Sequence, residues 1–379
     1  MPDTPADRPL SLALIDPSGY SRPYDHELAR ALAGRGHRVT LWTAGFIHGE
    51  APAPDGYEVC QLFYRHANRV GGRLRQPAKA AEHVLDLGRL RRRLLARRPD
   101  IVHVQWSVLR PVERPFYRML ERAGLPVVFT AHDPLPNAGG AGRRRSFAAT
   151  ARGFRRVIVH SDWGRRALIG ACGVEPARIR VIPHGELAYL RDQPAAAVPV
   201  PGGGPLVALP GIIRPYKGAD VLLAAWPRVR ERVPEARLAI AGRPMMDISA
   251  LAADQPGVTL VPRFLSDPEL SALLDAADVV ALPYRSIDNS GVVFAALALG
   301  CAVVMSDVGG FRELHDRDGV GELVPAGDAS TLADAVAEVL ADPDRRDRLR
   351  AASRAARDGR FAWPAIAADT EAVYREVTG

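Results

Sequence analysis

The chain has 379 residues, 47% of them apolar and 25% charged, with a formal net charge of +7. This length predicts two domains, and the composition is typical of a globular protein in water. The N-terminus is acidic and proline-rich, unlike a signal peptide, and the longest apolar run, 292–305, is shorter than the ~20 residues that span a bilayer. The sequence therefore favours a cytoplasmic location. Three widely separated cysteines predict neither a disulfide framework nor a metal site.

Residues 65–98 form a basic segment, rich in arginine and containing only two acidic residues. Such a segment favours contact with a membrane surface, an anionic acceptor or nucleic acid. A solvated helix face is the simpler interpretation. Nucleic acid is disfavoured because no aromatic residues alternate with the arginines as platforms for bases.

The chain opens with a buried strand at 10–15, a turn containing Gly19, a helix, and a second strand at 37–43. This order predicts the start of a doubly wound parallel sheet. Gly19 follows the first strand, where the absence of a side chain would let a ligand approach the backbone. A plain turn explains the same glycine equally well, and both interpretations stay open.

Further strands are predicted at 100–106, 125–130, 155–160 and 178–183, and a proline- and glycine-rich linker at 193–205 ends the first half. Polar groups that follow parallel strands face the ligand site in this architecture. We expect His132, which follows a strand and precedes an aspartate, to be functional. His103 lies within its strand, and we expect a hydrogen-bonded structural residue there.

The second half begins with a strand, a loop, a helix and a strand over 206–242. The loop contains Gly211, Arg214 and Lys217. Two cations beside a helix N-terminus predict a site for a diphosphate.

Strands are also predicted at 258–261, 278–283 and 302–306. After the second of them, a polar loop leads into an apolar helix, whose first N–H groups are free to bind an anion. A glycine loop containing Gly309 follows the third and ends at Glu313. Two successive Rossmann-like halves with polar loops at the strand ends suggest one cleft between two domains.

Several blocks carry a family resemblance. In order they read GHRV (36–39), TAHD (130–133), VIPHG (181–185), GIIRPYKGADVLLAAW (211–226), AADVVALPY (276–284), VVMSDVGG (303–310) and GVGELVPAGD (319–328). They resemble the blocks of glycosyltransferase family 4, and the resemblance covers nearly the whole chain. It implies the GT-B fold, in which two Rossmann-like, doubly wound parallel-sheet α/β domains face a central cleft.

The resemblance implies an acceptor domain at 1–195, with a last helix at about 362–379 packing back on it, and a nucleotide-sugar domain at 205–361. It implies retaining transfer of a sugar from a nucleoside-diphosphate sugar to the hydroxyl of a polysaccharide, lipid-linked or small natural-product acceptor, without a metal cofactor. The family's diphosphate cations fall on Arg214 and Lys217. Charge that develops on the leaving diphosphate would be stabilised there more than in the ground state.

The chain departs from the family at two glutamates that lie eight residues apart. Their positions fall on Ile287 and Ala295, neither of which is acidic. Asp288 is one residue away and is a substitute for the first glutamate. The other candidates for binding phosphate or sugar hydroxyls are Asn289, Ser290 and the N–H groups of Gly291 and Val292, with Gly211, Gly309 and Glu313 completing the predicted donor site.

Three alternatives stay open. A nucleotide-sugar epimerase with this fold would convert the donor without an acceptor. A catalytically inactive subunit that binds sugar nucleotides is suggested by the missing glutamates. A nicotinamide-dependent oxidoreductase is disfavoured because no GxGxxG motif follows the first strand.

Overall fold

The structure is a computed structural model that describes residues 8–46, 52–134, 141–198, 200, 202–287 and 289–378. The chain forms two compact units. The first comprises the residues up to His184 together with those from Trp363 onward, and the second comprises Gly185–Ala362.

The first unit is built on a seven-stranded parallel sheet with the order β3-β2-β1-β4-β5-β6-β7. Its strands are β1 (Ser11–Asp16), β2 (Arg38–Ala44), β3 (Glu58–Phe63), β4 (Ile101–Val104), β5 (Val127–Thr130), β6 (Arg156–Val159) and β7 (Ile179–Val181). The inner strands β4 and β5 are buried along their whole length. This burial explains their uninterrupted apolar sequence, since helices cover both faces of such sheets.

The helices of the first unit connect successive strands, except for the last one. They are α1 (Arg22–Gly34), α2 (Arg75–Arg97), α3 (Arg110–Arg122), α4 (Ala141–Ala151), α5 (Asp162–Cys172) and α13 (Trp363–Thr378). Ser161 is the N-cap of α5, because its hydroxyl accepts a hydrogen bond from Gly164 N–H at 2.8 Å. The C-terminal helix α13 belongs to this unit, where the hydroxyl of its buried Tyr374 lies 2.7 Å from His103 Nδ1.

The second unit contains a six-stranded parallel sheet with the order β10-β9-β8-β11-β12-β13. Its strands are β8 (Leu206–Pro210), β9 (Arg237–Ala241), β10 (Val258–Val261), β11 (Val279–Leu282), β12 (Val303–Ser306) and β13 (Glu322–Val324). Its helices are α6 (Ala219–Arg232), α7 (Ser249–Ala252), α8 (Asp267–Ala276), α9 (Gly291–Leu299), α10 (Phe311–Asp318), α11 (Ala329–Ala341) and α12 (Pro343–Asp358). Both units are therefore α/β domains with parallel sheets, as the sequence predicts.

The chain passes from the first unit to the second after His184, whereas the sequence analysis placed the boundary at residues 195–205. The reason is a short 3-10 helix, Ala188–Asp192, that packs in the second unit. Its Leu190 is fully buried in the core of that unit, and Ser271 on α8 donates a hydrogen bond to the Leu190 carbonyl at 2.8 Å. None of the described residues in the proline- and glycine-rich stretch 193–205 is fully buried, so its composition marks partly exposed chain that follows the boundary.

No helix among the described residues is long and apolar enough to cross a membrane. Within the same residues, no group of three or more histidine, cysteine, aspartate or glutamate side chains is arranged to hold a metal ion.

Candidate functional site

The strand order of the second domain places three loops at one edge of its sheet. The order reverses between β8 and β11, and β12 lies beside β11. The carboxyl ends of these strands continue into the β8–α6 loop (residues 211–218), the β11–α9 loop (residues 283–290) and the β12–α10 loop (residues 307–310). A reversal of this kind is where open α/β sheets bind ligands.

The β8–α6 loop holds Lys217 in a half-buried position. Its Nζ lies 5.4 Å from the centre of the Tyr284 ring, a distance at which a cation is attracted to the ring face. Burial lowers the pKa of Lys217, and the nearby charge of Arg214 lowers it further. Among the described residues, no carboxylate lies within ion-pair distance of either cation. The loop therefore presents positive charge that the described protein does not neutralise.

Gly211 is required by the geometry of this loop. It adopts a φ of +98°, and a Cβ atom built there would lie 3.0 Å from Lys217 Nζ and 3.1 Å from a methyl carbon of Val292. The backbone of β8, the lysine ammonium and the start of α9 therefore come together only because this residue has no side chain. The structure brings together three of the predicted donor-site residues.

Arg285 joins the β8–α6 and β11–α9 loops. Its backbone N–H donates to the Tyr216 carbonyl at 2.7 Å, and its Nη1 donates to the Pro215 carbonyl at 2.9 Å. Its guanidinium also forms a two-bond pair with Asp220, at 2.8 and 2.7 Å. The sequence analysis did not single out Arg285, because nothing in the sequence shows that its guanidinium reaches back to the other loop.

Ser290 caps helix α9 and is used within the protein. It is buried, its hydroxyl accepts from Val292 N–H at 3.3 Å, and it lies 3.2 Å from the Tyr284 hydroxyl. Gly291, the first residue of α9, is exposed. Asn289 lies next to Ser290, and the predicted Asp288 lies outside the described residues. The cap satisfies Val292 N–H internally, which differs from the role in anion binding expected from the sequence.

The β12–α10 loop lies two strands from β8. Gly309 has a φ of +54°, and Arg312 forms an ion pair with Asp307. Glu313 stands in the first turn of α10 and is half-buried. The structure places Gly309 and Glu313 at the same sheet edge as Lys217.

A recess of about 500 Å³ opens at the carboxyl ends of β9 and β10. Its walls are mostly apolar and include Ile213, which is next to Arg214, together with Pro244, Met246 and Leu260. The sequence analysis missed this recess, because its walls come from separate loops that no short motif connects.

In the first domain, three histidines follow three neighbouring strands. His132 comes after β5, His160 after β6 and His184 after β7. All three pack around the ring of Tyr24 on α1, with ring centres 4.8, 5.5 and 4.8 Å from it, respectively. The sequence analysis selected only His132 from this cluster.

Both ring nitrogens of His132 have hydrogen-bond partners within the domain. Nδ1 lies 3.0 Å from His160 Nε2, and Nε2 lies 3.0 Å from the side chain of Gln105. The ring of Trp106 stacks on His132 at 5.2 Å with an angle of 12° between the planes. Burial lowers the pKa of His132, and the neighbouring histidines lower it further. The role of His132 toward a substrate stays a prediction.

Two further predicted positions have a local explanation. Gly19 has a φ of +65° and forms a turn in which its N–H donates to the Asp16 carbonyl at 3.3 Å. His103 is buried and lies 2.7 Å from both the Tyr374 and Thr130 hydroxyls. Burial lowers the pKa of His103 to about 3, so this histidine is neutral. Its environment is that of a structural residue.

Several solved structures have the same architecture. Sucrose-phosphate synthase from Thermosynechococcus elongatus is 22% identical, with a TM-score of 0.72 over 97% of this chain and 99% of that one. The Anabaena protein HepE in complex with UDP and glucose is 18% identical, with a TM-score of 0.69 over 97% and 100%. WaaG, a glycosyltransferase involved in lipopolysaccharide biosynthesis, has a TM-score of 0.65 at 18% identity over 97% and 100%. At these identities the likeness concerns the GT-B fold alone.

Curated relatives carry the comparison to the level of sequence. D-inositol 3-phosphate glycosyltransferase of Kribbella flavida is 32% identical over 241 residues, which are 59% of this chain and 57% of the relative. The phosphatidyl-myo-inositol mannosyltransferase of Mycolicibacterium smegmatis is 32% identical over 228 residues, again 59% and 57%. The matches thus span less than two thirds of these two relatives. D-inositol 3-phosphate glycosyltransferase of Xylanimonas cellulosilytica is 28% identical over 408 residues, covering 98% of this chain and 94% of the relative.

Two family models match most of the chain between them. Residues 24–185 match Glycosyltransferase Family 4, and residues 204–342 match Glycosyl transferases group 1. The chain therefore belongs to glycosyltransferase family 4, a family of enzymes, as its sequence blocks indicate.

Proposed function

We propose that the protein transfers a sugar, with retention of anomeric configuration, from a nucleoside-diphosphate sugar to a hydroxyl acceptor. One observation carries the proposal. Lys217 and Arg214 present positive charge at the strand-order reversal of the second domain, and no carboxylate of the described residues neutralises it. Partial burial of a cation without a counter-charge raises the free energy of the folded protein, and a bound anion offsets this rise. A diphosphate supplies that anion.

The same cations account for catalysis. As the bond from the sugar to the diphosphate breaks, negative charge grows on the leaving oxygen. Cations held in place before the reaction stabilise this charge without further reorganisation. Because they supply the charge that a divalent ion supplies in other transferases, we propose that transfer needs no metal cofactor. Turnover unchanged by a chelator is the expected result.

The recess beside Ile213 is our proposed seat for the nucleoside. Its apolar walls suit the face of a base, and its position next to Arg214 leaves the diphosphate at the cations. Binding through the base and diphosphate lessens the need for the family glutamate whose position is taken by Ala295. UDP and glucose are named in the complex of the HepE neighbour, so UDP is the first nucleotide to test.

We propose that the first domain binds the acceptor and that the acceptor is anionic. A cavity of about 380 Å³ at the end of β3 is lined by four arginines and a histidine. These residues, together with Leu62, are Arg65, His66, Arg89, Arg92 and Arg93, and we call this site the arginine cavity. Two relatives are named for D-inositol 3-phosphate, which bears a phosphate of the kind such a cavity suits. A lipid-linked acceptor would bring the protein to the cytoplasmic face of a membrane.

The experiment combines binding with turnover. The melting temperature is measured with a panel of nucleoside diphosphates, since a ligand that binds only the native state raises it. Release of nucleoside diphosphate from the matching sugar donor is then measured with and without candidate acceptors. Acceptor-dependent release supports a transferase. Conversion of the donor without an acceptor indicates an epimerase, and binding without release indicates an inactive subunit. Failure of every nucleotide to bind contradicts the proposal.

A further inference from the structure

We propose that His160 is a positioning residue. It holds His132 in the tautomer whose Nε2 carries no proton, so that His132 accepts a hydrogen bond from a substrate hydroxyl. The backbone carbonyl of Ile182 can only accept a hydrogen bond. It therefore determines which atom is the donor in each contact along the chain from His160 to His132.

The carbonyl of Ile182 fixes the proton on His160. His160 Nδ1 lies 3.0 Å from this oxygen, which can only accept, so Nδ1 must carry the hydrogen. In a neutral imidazole the other nitrogen is then an acceptor. His160 Nε2 therefore accepts from His132 Nδ1 at 3.0 Å, and the proton of a neutral His132 lies on Nδ1. His132 Nε2 then carries a lone pair and can only accept a hydrogen bond.

Both rings are neutral because of their surroundings. Burial is the largest influence on each ring and lowers the pKa of His160 to about 3. The pKa of His132 is lowered by burial and then by His160, His184 and His103. A second proton on either ring would place a charge in an enclosed site among other histidines.

Gln105 lies between His132 and His103, and its nitrogen as assigned lies 3.3 Å from His103 Nδ1. Its side-chain carboxamide reaches His132 Nε2 at 3.0 Å through the atom assigned as oxygen. An oxygen there would demand a proton on Nε2, and one of the two histidines would then be charged. The nitrogen and oxygen ends of a carboxamide have nearly the same outline. Neutral histidines require its NH₂ end at His132, so that Gln105 donates to the lone pair.

A hydroxyl can replace the Gln105 NH₂ group as the donor. The stacked Trp106 holds the His132 ring plane, and the Trp106 indole N–H is itself fixed by donating to the Ser21 hydroxyl at 2.8 Å. A lone pair at Nε2 attracts an O–H group and repels a phosphate oxygen. The identity of the hydroxyl as one of a sugar or acceptor rests on the proposed function, whereas the tautomer does not.

The test reads the tautomer directly. The full chain is labelled with ¹⁵N-histidine, and long-range ¹H–¹⁵N spectra identify which nitrogen of each ring is protonated, with His132→Asn used to assign the signals. We expect a protonated Nδ1 and a bare Nε2 on His132. A His132 protonated at Nε2 in the wild type would overturn the proposal.

Two variants at His160 separate positioning from simple packing. In His160→Gln, the side-chain oxygen can accept a hydrogen bond from His132 Nδ1. The His132 tautomer should therefore be unchanged, and the turnover should stay within about threefold of the wild type. In His160→Phe no acceptor remains, so the proton should move to Nε2 and kcat/KM should fall about tenfold. An unchanged His132 tautomer in folded His160→Phe contradicts the proposal. If that variant does not fold, the wild-type and His160→Gln spectra decide. Absent turnover in all forms would count against the proposed function and leave the tautomer result intact.

Discussion

Lys217 is the residue on which the proposed diphosphate site depends most. Its ammonium is half-buried, lies over the Tyr284 ring and approaches the backbone at Gly211. A lysine ammonium in this position is only partly hydrated. Its lowered pKa reflects the free-energy cost of burying its charge. This environment is the reason to propose that it binds the leaving diphosphate.

Lys217→Ala should lower kcat by on the order of 10²-fold or more, with several kcal/mol added to the barrier, because an electrostatic contact to the leaving group is lost. The melting temperature should not fall, since no described ion pair is broken. The measurement is steady-state release of nucleoside diphosphate. Arg228→Ala is the matched control, because it removes an exposed cation of the same domain that pairs with Asp334. Near-normal turnover in Lys217→Ala would remove Lys217 from the site.

Buried histidines also predict how stability depends on pH. Burial lowers the pKa of His103 and of His160 to about 3, well below the ~6.5 of an unfolded histidine. The unfolded state therefore binds protons first as the pH falls below 6.5, and stability should be lost from there downward, by up to ~1.4 kcal/mol per pH unit for each histidine. Urea unfolding at pH 7 and pH 5 measures this change. The loss should be smaller in His103→Gln, and equal losses in both proteins would contradict the assignment.

At the scale of elements, Arg285 connects two loops that the sequence presents as independent. It donates hydrogen bonds to the carbonyls of Pro215 and Tyr216, the two residues immediately before Lys217. It also forms an ion pair with Asp220 at the start of α6. Gly218 permits the close approach of the loops, because a Cβ atom there would lie 2.0 Å from the Pro283 carbonyl oxygen. The position of Lys217 is therefore a property of both loops.

A double-mutant cycle on Arg285 and Asp220 tests this connection. Arg285→Ala should weaken donor binding and lower turnover about tenfold, because the turn carrying Lys217 loses a tether. Asp220→Ala should have a smaller effect, since the contacts of Arg285 to the carbonyls remain. The double variant should resemble Arg285→Ala alone, as expected for residues that act together. Strictly additive losses in kcat would show that the pair does not act through the loop.

Prediction from sequence succeeded for these elements where the signal is local. The apolar runs predicted the strands. Local capping patterns of the same kind, at Ser161 and at Ser266 with Glu269, begin helices in the structure. The loop with Gly211, Arg214 and Lys217 was recognisable because its cations and its helix are adjacent in the chain. The His132–His160 contact and the Arg285 tether were not, because each joins side chains from different strand ends.

At the scale of the whole molecule, positive charge is concentrated in different ways in the two domains. The second domain presents Arg214 and Lys217 at a strand-order reversal. The first presents the arginine cavity, where Arg89 is paired with Asp86 at 2.6 Å and Arg93 contacts Cys60 Sγ at 3.1 Å. The division after His184 differs from the predicted boundary at 195–205, because composition marks exposed chain, whereas the domain change follows the burial of Leu190.

Charge reversal in the arginine cavity tests the anionic acceptor. Arg92→Glu should raise KM for an anionic acceptor about tenfold or more, with little change in KM for the donor, because like charges then face each other. Kinetics with a phosphorylated acceptor and its uncharged analogue provide the measurement. Arg165→Glu is the control, since it reverses an exposed charge on α5 of the same domain. Equal increases in the acceptor KM for the two substitutions would show that general surface charge, and not the arginine cavity, attracts the acceptor.

Binding of a nucleoside diphosphate to Arg214 and Lys217 is the decisive measurement for the proposed donor site. Isothermal titration compares UDP and GDP, with UMP and GMP as partners that lack one phosphate, in the wild type and in the Arg214→Ala/Lys217→Ala variant. We expect one diphosphate to bind the wild type, and to bind the variant at least tenfold more weakly, about 1.4 kcal/mol, at unchanged melting temperature. Equal affinity in the two proteins, or no binding of either diphosphate to the wild type, would contradict the account.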